Sequence, residues 1–340
     1  MTDTPILTVE NLTIDIPTDT GTLHAVRGIG FDLRPGETLG IVGESGSGKS
    51  LTSLALMGLL GRSIKTRAAK MEFDGVDLLR AGARQMRKLR GARMSMIFQE
   101  PMTSLNPAYT IGDQLMEAMT LHGNGSMSDA RKRAIDLLQK VGITSAESRM
   151  SQYPHQLSGG LRQRVMIAMA LMCGPDLIIA DEPTTALDVT IQAQILRLLV
   201  DLQKEFGMAM ILITHDLGVV ARVADKVAVM YAGELVETGA TQEIFDTPSH
   251  PYTRGLLRCI PLPGKTARGA ELGTIPGIVP SLVGDVSGCA FRTRCAHARP
   301  DCRAAIPVQS APGQGHSFRC ISPTGFAEAD DTPRTAEATP

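Results

Sequence analysis

Residues 43–50 read Gly-Glu-Ser-Gly-Ser-Gly-Lys-Ser, which is the spacing of a phosphate-binding loop. Glycines let such a loop turn its backbone N–H groups toward phosphate oxygens, and a helix that begins at the lysine adds the positive end of its dipole. Lys49 would contact the β- and γ-phosphates, and the Ser50 hydroxyl would bind Mg²⁺. The predicted phosphate contacts are Gly43, Glu44, Ser45, Gly46, Ser47, Gly48, Lys49, Ser50 and Leu51.

Two carboxylates, Asp181 and Glu182, directly follow the apolar segment 177–180. A buried strand that ends in this way delivers both side chains to the carboxyl edge of a sheet, which is where a phosphate loop also lies. Asp181 is suited to bind Mg²⁺ through a water molecule, and Glu182 is suited to polarise the water that attacks a γ-phosphate. Together with the loop, this pair predicts binding and hydrolysis of a nucleoside triphosphate.

The elements that position these residues alternate between strand and helix patterns over the first 255 residues, which predicts an α/β domain with a mostly parallel sheet. We expect strands at 6–16, 33–42, 94–98, 177–180 and 208–214. A helix should begin at Lys49, and a short one should cover 242–245. Helices at 111–121, 128–141 and 160–172 form a predicted helical insertion that extends over about 105–172.

A second helix start with phosphate-binding character is found at residues 157–161, Leu-Ser-Gly-Gly-Leu. This segment resembles the signature motif of the ATPase subunits of ABC transporters, and with the phosphate loop it identifies the chain as a member of that family of P-loop NTPases. The resemblance implies that Ser158, Gly159 and Gly160 contact the ATP held by a partner subunit. Two ATPase domains would then enclose two ATP molecules between them.

Further matches follow in the order of the family's motifs. Gln99 resembles the glutamine that senses Mg²⁺ and the attacking water, Asp188 the aspartate that links the two sites of the dimer, and His215 the histidine at the γ-phosphate. The resemblance therefore implies Glu182, His215, Gln99 and Lys49 as catalytic residues, and Ser50, Gln99 and Asp181 as the Mg²⁺ site.

Two positions depart from the family pattern. Residue 161 is leucine where many members have glutamine. The family usually stacks adenine on an aromatic residue upstream of the phosphate loop, and the candidates here are Leu23 and His24. We expect adenine to contact these two residues, without an aromatic ring.

The subfamily is indicated by His-Pro-Tyr-Thr at 250–253 and by the segment 99–107, both of which look like dipeptide and oligopeptide importers. The resemblance implies two ATPase subunits, two membrane permease subunits, an extracytoplasmic peptide-binding protein and a place at the cytoplasmic face of the membrane. Nickel complexes, haem and glycosides are alternative cargoes. An exporter subunit and a soluble ABC ATPase of DNA repair or translation are alternative functions.

Four of the six cysteines lie near the end of the chain, at Cys289, Cys295, Cys302 and Cys320. Four thiolates suit a [4Fe–4S] cluster, which some members of the family carry. A zinc site is one alternative, although zinc favours closer pairs of cysteines, and unligated thiols are another. His297 and His316 are candidate replacement ligands, whereas Cys173 and Cys259 are expected to pack in the core.

Composition limits the remaining choices. A net charge of -1 argues against a protein that coats nucleic acid, and an aromatic content of 4% without tryptophan argues against a base-stacking platform. Residues 1–5 lack the pattern of a secretory signal, and no apolar run reaches the ~20 residues of a membrane span, so we expect a cytoplasmic protein. The predicted parts are an ATPase domain (1–255), a cysteine-rich irregular extension (256–325) and a disordered tail (326–340).

Overall fold

Two β-sheets of different type form the framework of the protein, whose computed structural model describes residues 4–100, 104–123, 125–185, 188–260, 273–284, 286–310 and 315–323. The strands are β1 (Leu7–Thr18), β2 (Gly21–Leu33), β3 (Thr38–Val42), β4 (Lys65–Arg67), β5 (Lys70–Phe73), β6 (Val76–Asp77), β7 (Met94–Ile97), β8 (Leu177–Asp181), β9 (Ala209–Thr214), β10 (Lys226–Tyr231), β11 (Glu234–Ala240), β12 (Gln309–Ser310) and β13 (Ser317–Phe318). The helices are α1 (Lys49–Leu56), α2 (Ala83–Leu89), α3 (Ile111–His122), α4 (Met127–Lys140), α5 (Ala146–Arg149), α6 (Gly159–Ala170), α7 (Val189–Phe206), α8 (Leu217–Val223), α9 (Thr241–Asp246) and α10 (Pro251–Arg258).

The central sheet has the strand order β12-β13-β11-β10-β3-β9-β8-β7. Neighbouring strands from β10 to β7 are parallel, and β11, β13 and β12 add antiparallel pairs at one side. Every residue of β3, β8 and β9 is buried, as expected of parallel strands that are covered on both faces. The predicted α/β fold with a mostly parallel sheet is confirmed.

A separate antiparallel sheet, in which β1 pairs with β2, β4 and β5, lies against the other side of α1. The single strand predicted at 33–42 is wrong, because β2 ends at Leu33 and β3 begins only at Thr38. Between them Pro35 and Gly36 make a turn, with Gly36 at φ 74° and a hydrogen bond from Glu37 N to Arg34 O of 3.1 Å.

The helices α3 to α6 lie between β7 and β8 along the chain and share a core with the central sheet and α7. Two of these helices begin with capping boxes. Thr110 accepts from Asp113 N at the start of α3, and Ser126 accepts from Asp129 N at the start of α4, each at 3.2 Å. Within the described residues, no helix is long and apolar enough to cross a membrane.

The C-terminal extension is joined to the central sheet. β13 pairs with β11, and Phe291 lies against the rings of Tyr231 and Tyr252, with centroids 5.3 and 5.4 Å away. The extension therefore shares a core with the ATPase domain. The tail predicted to be disordered, 326–340, lies outside the described residues.

A buried carboxylate secures this attachment. Glu237 on β11 accepts a hydrogen bond from the His250 backbone N–H at 3.0 Å, and one of its oxygens lies 2.8 Å from His316 Nε2. Both histidines and the glutamate are almost fully buried. An unpaired carboxylate in this position would be costly. The contacts of Glu237 with His250 and His316 therefore hold the start of α10 and the extension against β11.

We predict that His250 makes stability fall in acid. Burial lowers the pKa of His250 from 6.5 to about 4, against the opposing charge of Glu237. Between these two pKa values the unfolded chain binds a proton at His250 that the folded chain does not bind. Acidification from about pH 7 to about pH 5 should therefore lower the free energy of unfolding by about 2 kcal/mol through His250. His250→Asn keeps a side-chain acceptor for Tyr252 N at the start of α10 but does not titrate.

Thermal or urea unfolding at the two pH values measures this difference. The Asn variant should lose about 2 kcal/mol less than the wild type on acidification, and His155→Asn, at an exposed position, is the matched control. Equal losses in the wild type and in His250→Asn would contradict the assignment.

Candidate active site

The phosphate loop, residues 43–50, connects β3 to α1 and lies directly against neighbouring backbone. A Cβ atom on Gly43 would lie 2.0 Å from the Met230 carbonyl oxygen. Gly48 has φ 104°, and a Cβ there would lie 2.6 Å from Ala25 O. Only glycine fits these two positions, so the motif is required by packing as well as by phosphate binding.

Lys49 is almost fully buried at the start of α1, and its ammonium is held by the loop itself. Nζ donates to the carbonyl oxygens of Gly43 and Glu44, at 2.8 and 2.9 Å. Burial lowers the pKa of Lys49, while the charges of Glu182, Asp181 and Glu44 act in the opposite direction. The ammonium therefore lies where three carboxylates favour its charged form, in reach of an anion bound by the loop.

Ser50 and Asp181 are brought together as the sequence predicts. Ser50 Oγ donates to Asp181 Oδ1 at 3.0 Å, and Ser53 Oγ approaches Oδ2 at 3.4 Å. Burial raises the pKa of Asp181, and the Ser50 hydrogen bond partly opposes it. Hydroxyl and carboxylate oxygens are the ligands that Mg²⁺ prefers, so this pair fits the ion expected beside a nucleotide phosphate.

Glu182 is the centre of the predicted catalytic group. Its Oε2 accepts from Gln99 Nε2 at 3.1 Å and from Thr185 Oγ1 at 2.9 Å, and His215 Nδ1 lies 3.7 Å away. Its φ of 45° is left-handed, which is strained for a residue with a side chain and is typical of functional sites. Thr185 was not singled out in the sequence, since nothing in its spacing marks it.

These residues surround a cleft. A cavity of about 440 Å³ is lined by Gly43, Glu44, Ser45, Gln99, Glu182, His215 and Leu256. A second cavity of about 180 Å³ shares Ser45, Gln99 and Glu182 with the first and is otherwise lined by Gly46, Gly48, Lys49, Ser50 and Leu51. Another cavity, of about 730 Å³ between β1, β2 and β13, has neither a phosphate loop nor a catalytic carboxylate pair on its walls.

The signature residues lie elsewhere on the chain. Ser158 caps α6, where its Oγ accepts from Leu161 N at 3.4 Å, and Gly159 begins the helix. Ser158 and Gly159 are exposed, and none of the three signature residues, Gly160 included, is among the residues that line the two cavities of the cleft. Asp188 caps α7 by accepting from Ile191 N at 3.0 Å, and residues 186 and 187 lie outside the described residues.

Leu23 and His24 lie on β2 beside the C-terminal extension. Leu23 pairs with Val283, and His24 N donates to Leu282 O at 2.9 Å. The His24 ring lies 2.7 Å from Asp15 Oδ1. Neither residue lines the two cavities of the cleft, so adenine contact at this position stays a prediction.

The four clustered cysteines gather around one apolar pocket. Cys289, Cys295, Cys302 and Cys320 line a cavity of about 20 Å³ together with His297. Burial raises the pKa of the Cys289 thiol to about 11 and also raises the pKa values of Cys295 and Cys320. In the part of the chain that the structure describes, no group of three or more His, Cys, Asp or Glu residues is arranged around a single metal ion.

Two further candidates from the sequence have other contacts. His316, a candidate ligand, is paired with Glu237 instead, because the extension folds back onto β11. Cys259 donates from Sγ to Gly255 O at 3.2 Å within α10, as a packed residue would.

Sequence reasoning missed a set of contacts that α10 and the extension make with the phosphate loop. Glu44 N donates to Tyr252 Oη at 3.0 Å, and Arg294 Nη1 donates to Glu44 Oε2 at 2.8 Å. Tyr252 belongs to the His-Pro-Tyr-Thr motif and Arg294 precedes Cys295, but no spacing rule connects positions so far apart in the chain.

Comparison with protein families gives two matches. A model described as "ABC transporter" matches residues 26–185, and one described as "Oligopeptide/dipeptide transporter, C-terminal region" matches residues 236–302. Among solved structures, a dimeric ATP-binding cassette, MJ0796, bound to ADP and Pi has a TM-score of 0.61 at 27% identity, covering 69% of this chain and 98% of its own. The cbiO1 subunit from Clostridium perfringens has a TM-score of 0.61 at 32% identity, covering 71% and 90%.

Two relatives extend the match to almost the whole chain. The dipeptide transport ATP-binding protein DppD of Escherichia coli is 50% identical over 319 residues, which cover 94% of this chain and 97% of the relative. The protein of the same name from Bacillus subtilis is 51% identical over 316 residues, covering 93% and 94%. The chain, with its phosphate loop, signature helix and docked C-terminal region, belongs to the ABC transporter ATP-binding family, in the group of the dipeptide transport ATP-binding proteins.

Proposed function

We propose that this chain is the ATP-hydrolysing subunit of an importer for dipeptides or oligopeptides. The convergence of Gln99, His215 and Thr185 on the Glu182 carboxylate, at the mouth of the phosphate loop, carries the proposal. Peptide cargo is supported by the relatives, which are named for dipeptide transport and match this chain over nearly their full length.

Substrate binding uses the loop and the ion. The backbone N–H groups of residues 43–50 and the Lys49 ammonium bind the β- and γ-phosphates of ATP. Ser50 and Gln99 would bind Mg²⁺, and Asp181 would bind it through a water. When bound, the ion would neutralise charge that develops on the phosphates during transfer.

Hydrolysis depends on Glu182. Its carboxylate orients and polarises the attacking water, and His215 contacts the γ-phosphate. The hydrogen bonds from Gln99 and Thr185 fix the carboxylate before substrate arrives, so little reorganisation is needed during the reaction.

A second ATPase subunit completes the site. The start of α6 exposes Ser158 and Gly159 and does not line the cleft beside this chain's own phosphate loop, which suits it to the ATP of a partner. The related cassette MJ0796 is described as dimeric and bound to ADP and Pi. ATP binding closes the pair, hydrolysis resets it, and Asp188 lies where it can link the two sites.

The membrane partners are two permease subunits, with an extracytoplasmic peptide-binding protein that delivers the cargo. The chain then lies peripherally at the cytoplasmic face and contacts the permeases through residues 99–107 and the helices α3 to α6. Apolar side chains exposed on this part include Tyr109, Leu121 and Met127, which are 57%, 74% and 61% exposed. Such exposure supports a docking surface there.

The clustered cysteines are proposed to hold a [4Fe–4S] cluster. Four thiols that line one pocket provide the ligand number and type that such a cluster needs. Cys289, Cys295, Cys302 and Cys320 would hold the cluster. When bound, the cluster supplies one-electron chemistry or a structural cross-link.

The catalytic role predicts the behaviour of Glu182→Gln. The amide keeps the size of the side chain but does not polarise water, so steady-state ATP hydrolysis should fall by about a hundredfold or more. ATP binding should persist, and ATP should stay bound through gel filtration. Phosphate release and retained radiolabelled ATP measure the two effects.

Glu147→Gln is the matched control, because Glu147 is an exposed glutamate on α5 far along the chain from the loop. It should hydrolyse ATP at the wild-type rate. Unchanged hydrolysis in Glu182→Gln would refute the assigned role.

The cluster predicts the composition of the purified protein. After anaerobic purification we expect about four iron and about four acid-labile sulfide per chain, with a brown colour and charge-transfer absorption. Cys302→Ser should lower both values, and Cys173→Ser, outside the pocket, should not. Colourless protein with one equivalent of zinc and no sulfide would refute the cluster.

A further inference from the structure

We propose that Tyr252 and Arg294 hold the phosphate loop at Glu44, so that the C-terminal extension sets the affinity of the chain for ATP. This group of three residues is called the loop clamp below. The inference rests on the proposed function, since it concerns the same ATP site. It assigns Tyr252 and Arg294 as positioning residues that act through the loop.

Arg294 joins the loop to the extension through one guanidinium. Nη1 donates to Glu44 Oε2 at 2.8 Å and lies 3.3 Å from Tyr231 Oη. Nε donates to Pro276 O at 2.9 Å and Nη2 to Ile275 O at 3.1 Å. The Arg294 side chain is only 5% exposed and that of Glu44 28%, so this ion pair is shielded from solvent and is not a surface contact.

Tyr252 holds the backbone of the same loop residue. Its Oη accepts from Glu44 N at 3.0 Å, and its ring is buried between Tyr231 and Phe291, with centroids 4.6 and 5.4 Å away. Burial raises the pKa of Tyr252, which keeps the phenol neutral. Backbone and side chain of Glu44 are therefore restrained from two different elements, α10 and the extension.

The restraint on Glu44 also acts on the Lys49 ammonium, which is the group expected to bind phosphate. Lys49 Nζ donates to the carbonyl oxygens of Gly43 and Glu44, so the place of the ammonium depends on the path of the loop at these two residues. A loop that is ordered before ATP binds avoids the entropy cost of ordering it afterwards. Without the clamp, ATP should bind more weakly.

The chemical step should respond less than binding. Glu182 is held by Gln99 and Thr185, and none of the hydrogen bonds of the clamp described above reaches these residues. Loss of the clamp should therefore raise KM and the Kd for nucleotide, with a smaller change in kcat. A residue that only stabilised the fold would lower the unfolding temperature without this split.

The test compares Arg294→Met, Glu44→Gln, Tyr252→Phe and the double variant Arg294→Met with Glu44→Gln in the full-length chain. We expect each single variant to raise KM for ATP and Kd for a fluorescent ATP analogue by about fivefold, with kcat within about twofold. The double variant should be no weaker than Arg294→Met, because both changes break one contact. Arg303→Ala, an exposed arginine of the same extension, should match the wild type.

Unchanged KM and Kd in the three single variants would overturn the clamp. So would a double variant whose effects multiply, since that result means that the two residues act independently. Arg294→Met also loses its bonds to Ile275 and Pro276, so if it unfolds, Tyr252→Phe decides, because it removes only the hydroxyl that accepts from Glu44 N. Wild-type chain that binds the analogue but hydrolyses no ATP would instead refute the proposed function, and the clamp would then be judged on Kd alone.

Discussion

Parallel pairing of β3, β9, β8 and β7 is the constraint on which the site depends. Val42 pairs with Thr214, Asp181 with Ile213, and Ile97 with Ala180, so these strands end at nearly the same level. The residues that follow each strand then meet at one edge of the sheet. A shift of one residue in any pairing would separate the loop, the carboxylates, Gln99 or His215 from the others.

Charged side chains from different elements, Lys49 on α1 and Asp181 on β8, are buried together at that edge. Burial lowers the pKa of Lys49 and raises the pKa of Asp181, so each charge alone is penalised. Their mutual attraction and the Ser50 hydroxyl offset part of this cost. Glu182 directly follows the end of β8, and its strained, left-handed backbone accompanies a side chain that lines the cleft.

The C-terminal extension belongs to this arrangement physically. It adds β13 to the central sheet, buries Phe291 against Tyr231 and Tyr252, and carries Arg294 to Glu44. Cys289 and Cys295 lie on either side of the segment that holds Phe291 and Arg294, so the pocket of thiols and the phosphate loop are linked by a few residues of chain. The cysteine-rich segment thus contacts the phosphate loop of the ATPase fold through Arg294.

Local sequence determined the phosphate loop, the strand that ends in Asp181 and Glu182, and the helices of 111–170, because these depend on glycine spacing, apolar periodicity and capping residues. Pro35 and Gly36 broke a strand that the apolar pattern had joined, although both residues were visible in the sequence. Only the tertiary structure decided that Thr185 holds Glu182, that His316 pairs with Glu237, and that Tyr252 and Arg294 meet at Glu44. Arg294 lies 250 positions from Glu44, and no periodicity or motif encodes a contact over that distance; it exists because the extension packs on the same sheet that positions the loop.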